Sequence, residues 1–143
     1  MAYYENENTF NKLVMSKGEE AFHNGYEDAI ENIKFQFGRT YAMLIGGKSV
    51  YALETFVHTS PIDTRLILGY FPSGSTKHVQ QAVNAAKKAF VRWNKTPYKQ
   101  RIKICRTTGD IMSRRKFELA AWLSYENGKN RYEAVGDVDE AID

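Results

Sequence analysis

The reactive groups of this sequence are one thiol, Cys105, three imidazoles, His23, His58 and His78, and a run of carboxylates, Glu126, Glu133, Asp137, Asp139 and Glu140. A nucleophilic thiol needs an imidazole, a cation or a helix N-terminus beside it to lower its pKa. Cys105 instead shares the apolar positions Ile102, Cys105, Gly109 and Met112 of a helical pattern, which reads as inert core packing. No second histidine and no cysteine stands at i, i+4 from any histidine, so no metal set is spelled out. Acid–base work would need two of the carboxylates to converge in one pocket. Their spacing reads as a charged helix surface.

Two other patterns bear on phosphate. Gly47-Lys48-Ser49 looks like the end of a P-loop, but the required earlier glycine is Ala42 and a strand, Val50-Tyr51, follows instead of a helix. A hairpin turn explains it. Lys99, Arg101, Lys103, Arg106, Arg114, Arg115 and Lys116 could meet phosphates. They surround an amphipathic helix and read as its solvated face, without the stacking aromatics of an RNA-binding sheet. Asn94-Lys95-Thr96 matches a glycosylation acceptor, and nothing else points to secretion.

The elements that must position these groups follow from periodicity. Residues 1–15 read as an arm or extended tail. Ser16 and Glu19 form a capping box. The helix it opens carries Phe22, Tyr26, Ala29, Ile30, Ile33 and Phe37 on one face and closes at Gly38. Met43-Leu44-Ile45 and Val50-Tyr51 flank Gly46-Gly47 as a β-hairpin. A second pair, Thr55–His58 and Leu66–Phe71, flanks the Ser60-Pro61 turn and stops before Pro72.

Residues 73–76 then supply a helix cap. The next helix bears Val79, Ala82, Val83, Ala86, Ala89, Phe90 and Trp93 on one stripe. Another starts with Pro97 at its first position. A third carries Phe117, Leu119, Ala120, Trp122 and Leu123 and ends at Asn127-Gly128, and a last one begins near Arg131. Taken alone, the order is α+β: a long N-terminal helix, two short hairpins, then three to four helices.

The 143 residues carry 20 basic and 17 acidic side chains, a net charge of +3, with 43% hydrophobic residues. That is ordinary globular usage and suits one domain. One cysteine excludes a disulfide framework within the chain. No apolar run approaches a membrane span, and the first residues, Met1-Ala2-Tyr3-Tyr4-Glu5, are no signal peptide. The expectation is a cytoplasmic protein with neither nucleic acid nor membrane as partner.

Several segments in order resemble the aldehyde dehydrogenase superfamily. Tyr41 to Lys48 is similar to its "lyIGG" hairpin, and Ser60-Pro61 to its "NP" turn, with serine in place of asparagine. Val79 to Trp93 resembles "v..Av.aA..Af..W", and Arg101 stands at the "eR" helix start. Glu126-Asn127-Gly128-Lys129 resembles "E.GK", and Glu133 to Asp143 resembles "EA..DV.EAID". With the long helix upstream of the hairpin, the branch most resembled is the 1-pyrroline-5-carboxylate dehydrogenases.

The resemblance implies an α/β fold, namely the N-terminal part of the NAD-binding domain, truncated before the catalytic domain. Residues 1–40 would be an N-terminal arm and helix, and residues 41–143 the start of the NAD-binding domain. It implies NAD as cofactor, although binding by this chain alone is not expected, and a small aldehyde, L-glutamate γ-semialdehyde of proline breakdown, as substrate. The family's nucleophilic cysteine, general-base glutamate, oxyanion asparagine and cofactor turn have no counterpart here, and Cys105 is outside the "GQ.C" setting. The chain by itself is expected to be inactive. The one residue the resemblance carries into the aldehyde pocket is Glu140. The implied partner is the remainder of the enzyme or another copy of the chain. One half of a split enzyme, or a non-catalytic assembly or regulatory module, are the alternatives.

Overall fold

The computed structural model describes residues 4–15 and 18–143. Its elements are α1 (Glu5–Met15), α2 (Glu19–Lys34), β1 (Arg39–Thr40), β2 (Met43–Ile45), β3 (Lys48–Val50), β4 (Thr55–Thr59), β5 (Ile67–Pro72), α3 (Thr76–Trp93), α4 (Tyr98–Arg114), α5 (Lys116–Asn127) and α6 (Arg131–Ile142).

The first correction to the sequence reading is α1. The expected extended arm is helical, with Glu5 and Glu7 in its first turn, where carboxylates favour the helix dipole. Its leading amides are capped from far along the chain: Glu5 N donates to Asp143 Oδ1 at 2.5 Å. Such a long-range cap leaves no local signature in sequence. Ser16 of the expected capping box lies outside the described residues, and Gly18 stands at the N-cap of α2.

Helix α2 buries Phe22, Tyr26, Ala29 and Ile33, the expected face, against α5 and α6. The contact is close because the opposing residues are small. Ala120, Ala121 and Ala134 are fully buried. A Cβ on Gly25 would stand 2.8 Å from the Phe117 ring, so only glycine lets α5 approach there. The helix proper ends at Lys34, and Gly38, at φ 71°, turns the chain into β1.

The strands make two sheets. β2 and β3 pair antiparallel around Gly46 (φ 59°) and Gly47 (φ 78°), the two positive φ angles a tight two-residue hairpin turn demands. β4 and β5 pair antiparallel, and β1 adds to β5 in parallel, giving the order β1-β5-β4. The strand β1 is additional to the four expected, since two residues carry no period. Pro72 belongs to β5, contrary to the expected stop: it pairs with Thr55 past the reach of β1, where its missing N–H leaves no ladder bond unmade.

Ser60 is fully buried in the turn between β4 and β5. Its hydroxyl donates to the Tyr125 carbonyl at 2.6 Å and accepts from Ile62 N at 3.2 Å. The turn is thereby tied to the end of α5, which closes on Gly128 at φ 74°.

Helices α3 and α4 bury no residue. Ser75 N donates to His78 Nδ1 at 3.0 Å at the head of α3, where histidine takes the place usual for Glu or Gln. Pro97 is the N-cap of α4, one position earlier than expected.

Candidate functional site

The carboxylates singled out from the sequence lie on α5 and α6, where they take separate tasks. Asn130 opens α6, its Oδ1 accepting from Tyr132 N and Glu133 N, each at 3.0 Å. Ala134, Val135 and Val138 then face the core. Asp139 follows Val135 by four residues and therefore points inward with them. It is 0% exposed, and its Oδ1 lies 2.6 Å from Lys116 Nζ. The same ammonium donates to Glu5 Oε1 at 2.6 Å and Thr9 Oγ1 at 2.9 Å. Lys116 beside Glu5, with the Ser113 hydroxyl also donating, holds the Glu5 carboxyl below its usual range against the opposing effect of burial.

Two readings are thereby corrected. Lys116 is no member of a solvated basic face, and Asp139 is no surface carboxylate. A signal was present: Lys116 and Asp139 both continue apolar helical stripes, Lys116 with Ala120 and Asp139 with Val135. A charged pair at such positions has to be mutual when the helices pack.

Asp137 pairs with Lys129, joining the two ends of the α5–α6 corner. Glu126 is half-buried at a cleft of about 280 Å³ beside Tyr41 and Trp122. Glu133 and Glu140 are exposed. They lie on one stripe of α6 with Gly136 between them, where an added Cβ would meet nothing within 4 Å. Glu140 forms no hydrogen bond or ion pair among the described residues, in contrast to Asp139 beside it. The acidic cluster therefore does not converge, and no paired carboxylate site arises.

Cys105 is a free, exposed thiol on α4, which corrects the reading of core packing. The stripe on which it lies is covered at Gly109, which faces Ile142 of α6, and left open around Cys105. His23 accepts from Arg131 Nη1 at 2.8 Å, and the same guanidinium donates to Glu27 at 2.6 Å and lies over the Tyr26 ring. This set fastens α2 to α6. His58 stands edge-on to Phe71, and His78 serves as the cap of α3. Among the described residues no group of three His, Cys, Asp or Glu side chains could hold a metal ion, and no helix is long and apolar enough to cross a membrane.

A dinucleotide site would need a strand, a glycine-rich turn and an open helix N-terminus. The turn from β5 to α3 holds one glycine, Gly74, and the head of α3 is closed by Ser75 and His78. Gly46 and Gly47 join two antiparallel strands. The described residues do not fit a dinucleotide. A cleft of about 600 Å³ between α1, α2 and the α4–α5 junction is lined by polar groups that already serve each other, Glu5 with Lys116 and Arg115 with Glu118.

Comparison with known proteins places this geometry. Residues 50–143 match the aldehyde dehydrogenase family. The 1-pyrroline-5-carboxylate dehydrogenase of Oceanobacillus iheyensis is 31% identical over 118 residues, which cover 82% of this chain and 23% of that protein. The enzyme of the same name from Staphylococcus saprophyticus is 29% identical over 140 residues, 98% of this chain and 26% of that protein. A 1-pyrroline-5-carboxylate dehydrogenase from Thermus, solved with bound NAD, superposes with a TM-score of 0.84 at 35% identity, over 90% of this chain and 25% of the other. The chain spans about a quarter of the length of these relatives, and the quarter it matches is their N-terminal portion. The chain belongs to the aldehyde dehydrogenase family.

Proposed function

We propose that this chain serves as the N-terminal portion of an NAD-dependent dehydrogenase that oxidises L-glutamate γ-semialdehyde to glutamate, and that Glu140 is its contribution to the aldehyde pocket. The activity follows the relatives, which are 1-pyrroline-5-carboxylate dehydrogenases. Residues 1–40 act as the arm and helix, and residues 41–143 open the cofactor domain. NAD, the nucleophile and the base belong to the portion of the enzyme this chain does not contain, because its own residues form no dinucleotide cradle and no activated thiol.

The observation that carries the role of Glu140 is its contrast with Asp139. The buried Lys116 pair fixes the rotation of α6, and that rotation turns Glu140 outward with no partner of its own. An unpaired carboxylate held this way can accept a hydrogen bond from the substrate's α-ammonium. A hydrogen bond to a charged group is worth roughly 1.5–3 kcal/mol.

The test uses a fusion of this chain to the remainder of the Thermus enzyme. Glu140→Ala should raise KM for glutamate γ-semialdehyde about tenfold or more, with little change for an aldehyde that lacks the amino acid moiety. Equal effects on both substrates, or none, would place Glu140 outside the pocket.

A further inference from the structure

Charge is divided between two surfaces of this chain. Between Thr76 and Arg115 stand more than half of its 20 basic side chains and only one acidic side chain of the 17, Asp110. Helix α3 holds no acidic residue at all. Its Lys77, Lys88 and Arg92 are exposed on the side away from the Val79–Val83–Phe90 stripe, and none of them forms an ion pair among the described residues. They stay in water whatever lies on that stripe. The opposite sign gathers on α2. Its core face, Phe22, Tyr26, Ala29 and Ile33, turns Glu20, Asp28 and Glu31 outward, all of them exposed. Glu31 has Lys34 beside it, while Glu20 and Asp28 have no cation partner among the described residues. Lys77 and Lys88 are separated by the same stretch of helix as Glu20 and Glu31, about three turns or ~16 Å.

We propose that the Lys77–Lys88–Arg92 face of α3 docks on the Glu20–Asp28–Glu31 face of α2 in a second copy of the chain. Complementary rows of charge attract at encounter and fix the orientation of the partner. Here both rows stand on one polypeptide at matching spacing, so a second copy always carries the surface that fits. Helix α4 is the poorer seat, because Asp110 lies among its outward cations Lys103, Arg106 and Arg114. Exposed ion pairs are individually weak and are screened by salt, so the association belongs to low ionic strength. The docking rests on exposed charge alone and is independent of the proposed activity.

The experiment reads the mass of the full chain by sedimentation equilibrium. At about 20 mM salt the mass should reach about twice the 16.4 kDa of the single chain or more, and at about 0.5 M salt, where screening is far shorter in range, it should return to that value. A single-chain mass at both, or a raised mass that salt leaves unchanged, would overturn the proposal. Two charge reversals then locate the contact. Lys77→Glu with Lys88→Glu, and Glu20→Lys with Asp28→Lys, should each abolish the low-salt association. Mixing the two variants should restore it, because each face then meets its opposite again, and a mixture that stays dissociated overturns the docking. All four side chains are exposed and lie in no ion pair among the described residues, so neither reversal touches the core. Lys99→Glu with Lys103→Glu makes the same change of net charge on α4 and should leave the association in place. Equal loss there would reduce the effect to net charge and overturn the docking. A chain that stays single and binds a single-stranded oligonucleotide, with that binding lost in the α3 reversal, would assign the face to nucleic acid and overturn it as well.

Discussion

Lys116 and Asp139 form an ion pair across α5 and α6, Nζ to Oδ1 at 2.6 Å, with the carboxylate fully buried and the lysine side chain 11% exposed. Desolvation offsets much of the attraction in such a pair, but removing one partner strands the other charge away from water, at about 3–5 kcal/mol. Lys116→Met should therefore lower the unfolding free energy by about 3 kcal/mol or more in urea titration. The double variant Lys116→Met with Asp139→Leu should recover part of that loss. Additive losses would show that the two groups act independently.

Acid should loosen α1. The Glu5 carboxyl is held below its usual value of 4.5 by the hydrogen bond from Lys116. A depressed folded value means that its stabilisation is complete above about 4.5 and is lost as pH falls through the folded value. Melting temperature followed from pH 7 downward should decline more steeply for the parent chain than for Glu5→Gln. Parallel declines would contradict the coupling.

Ser60 ties the turn between β4 and β5 to the end of α5. Ser60→Ala leaves the Tyr125 carbonyl without this donor and Ile62 N without this acceptor. The expected loss is about 1–3 kcal/mol, read as a lowered denaturation midpoint. Ser60→Asn should retain more stability than alanine.

The helices α2, α5 and α6 and both hairpins were legible because their signals are local. Apolar residues recur at helical spacing from Phe22 to Ile33, paired glycines mark the hairpin turn, and Gly128 ends α5. What the sequence concealed depends on distant partners. Helix α1 is capped by Asp143 and β1 is two residues laid beside β5, while Lys116 and Asp139 are marked only by the apolar stripes they continue. Periodicity also overstated burial. The stripes of α3 and α4 are real, but α6 reaches the α4 stripe at Gly109 and leaves it open around Cys105, which is exposed where packing was expected. The candidate Glu140 rests on the family motif alone; the structure shows it exposed beside the buried Lys116–Asp139 pair.

The isolated chain should oxidise no aldehyde with NAD or NADP, since its one thiol lies on an exposed helix face without an imidazole contact among the described residues. Cys105 should react with a thiol reagent in the native chain nearly as fast as in the unfolded chain. Aldehyde turnover by the purified chain that survives Cys105→Ser would show a nucleophile this account does not contain.

If this chain serves as the N-terminal quarter of an enzyme that oxidises glutamate γ-semialdehyde, grafting it onto a relative should sustain that reaction. The most direct measurement is NADH formation by the Thermus enzyme whose matching N-terminal segment has been replaced by this chain. NAD-dependent oxidation of glutamate γ-semialdehyde is expected from the fusion and none from the Thermus remainder alone. A fusion that folds, as shown by a cooperative melt and bound NAD, yet leaves this aldehyde unoxidised while turning over others would contradict it.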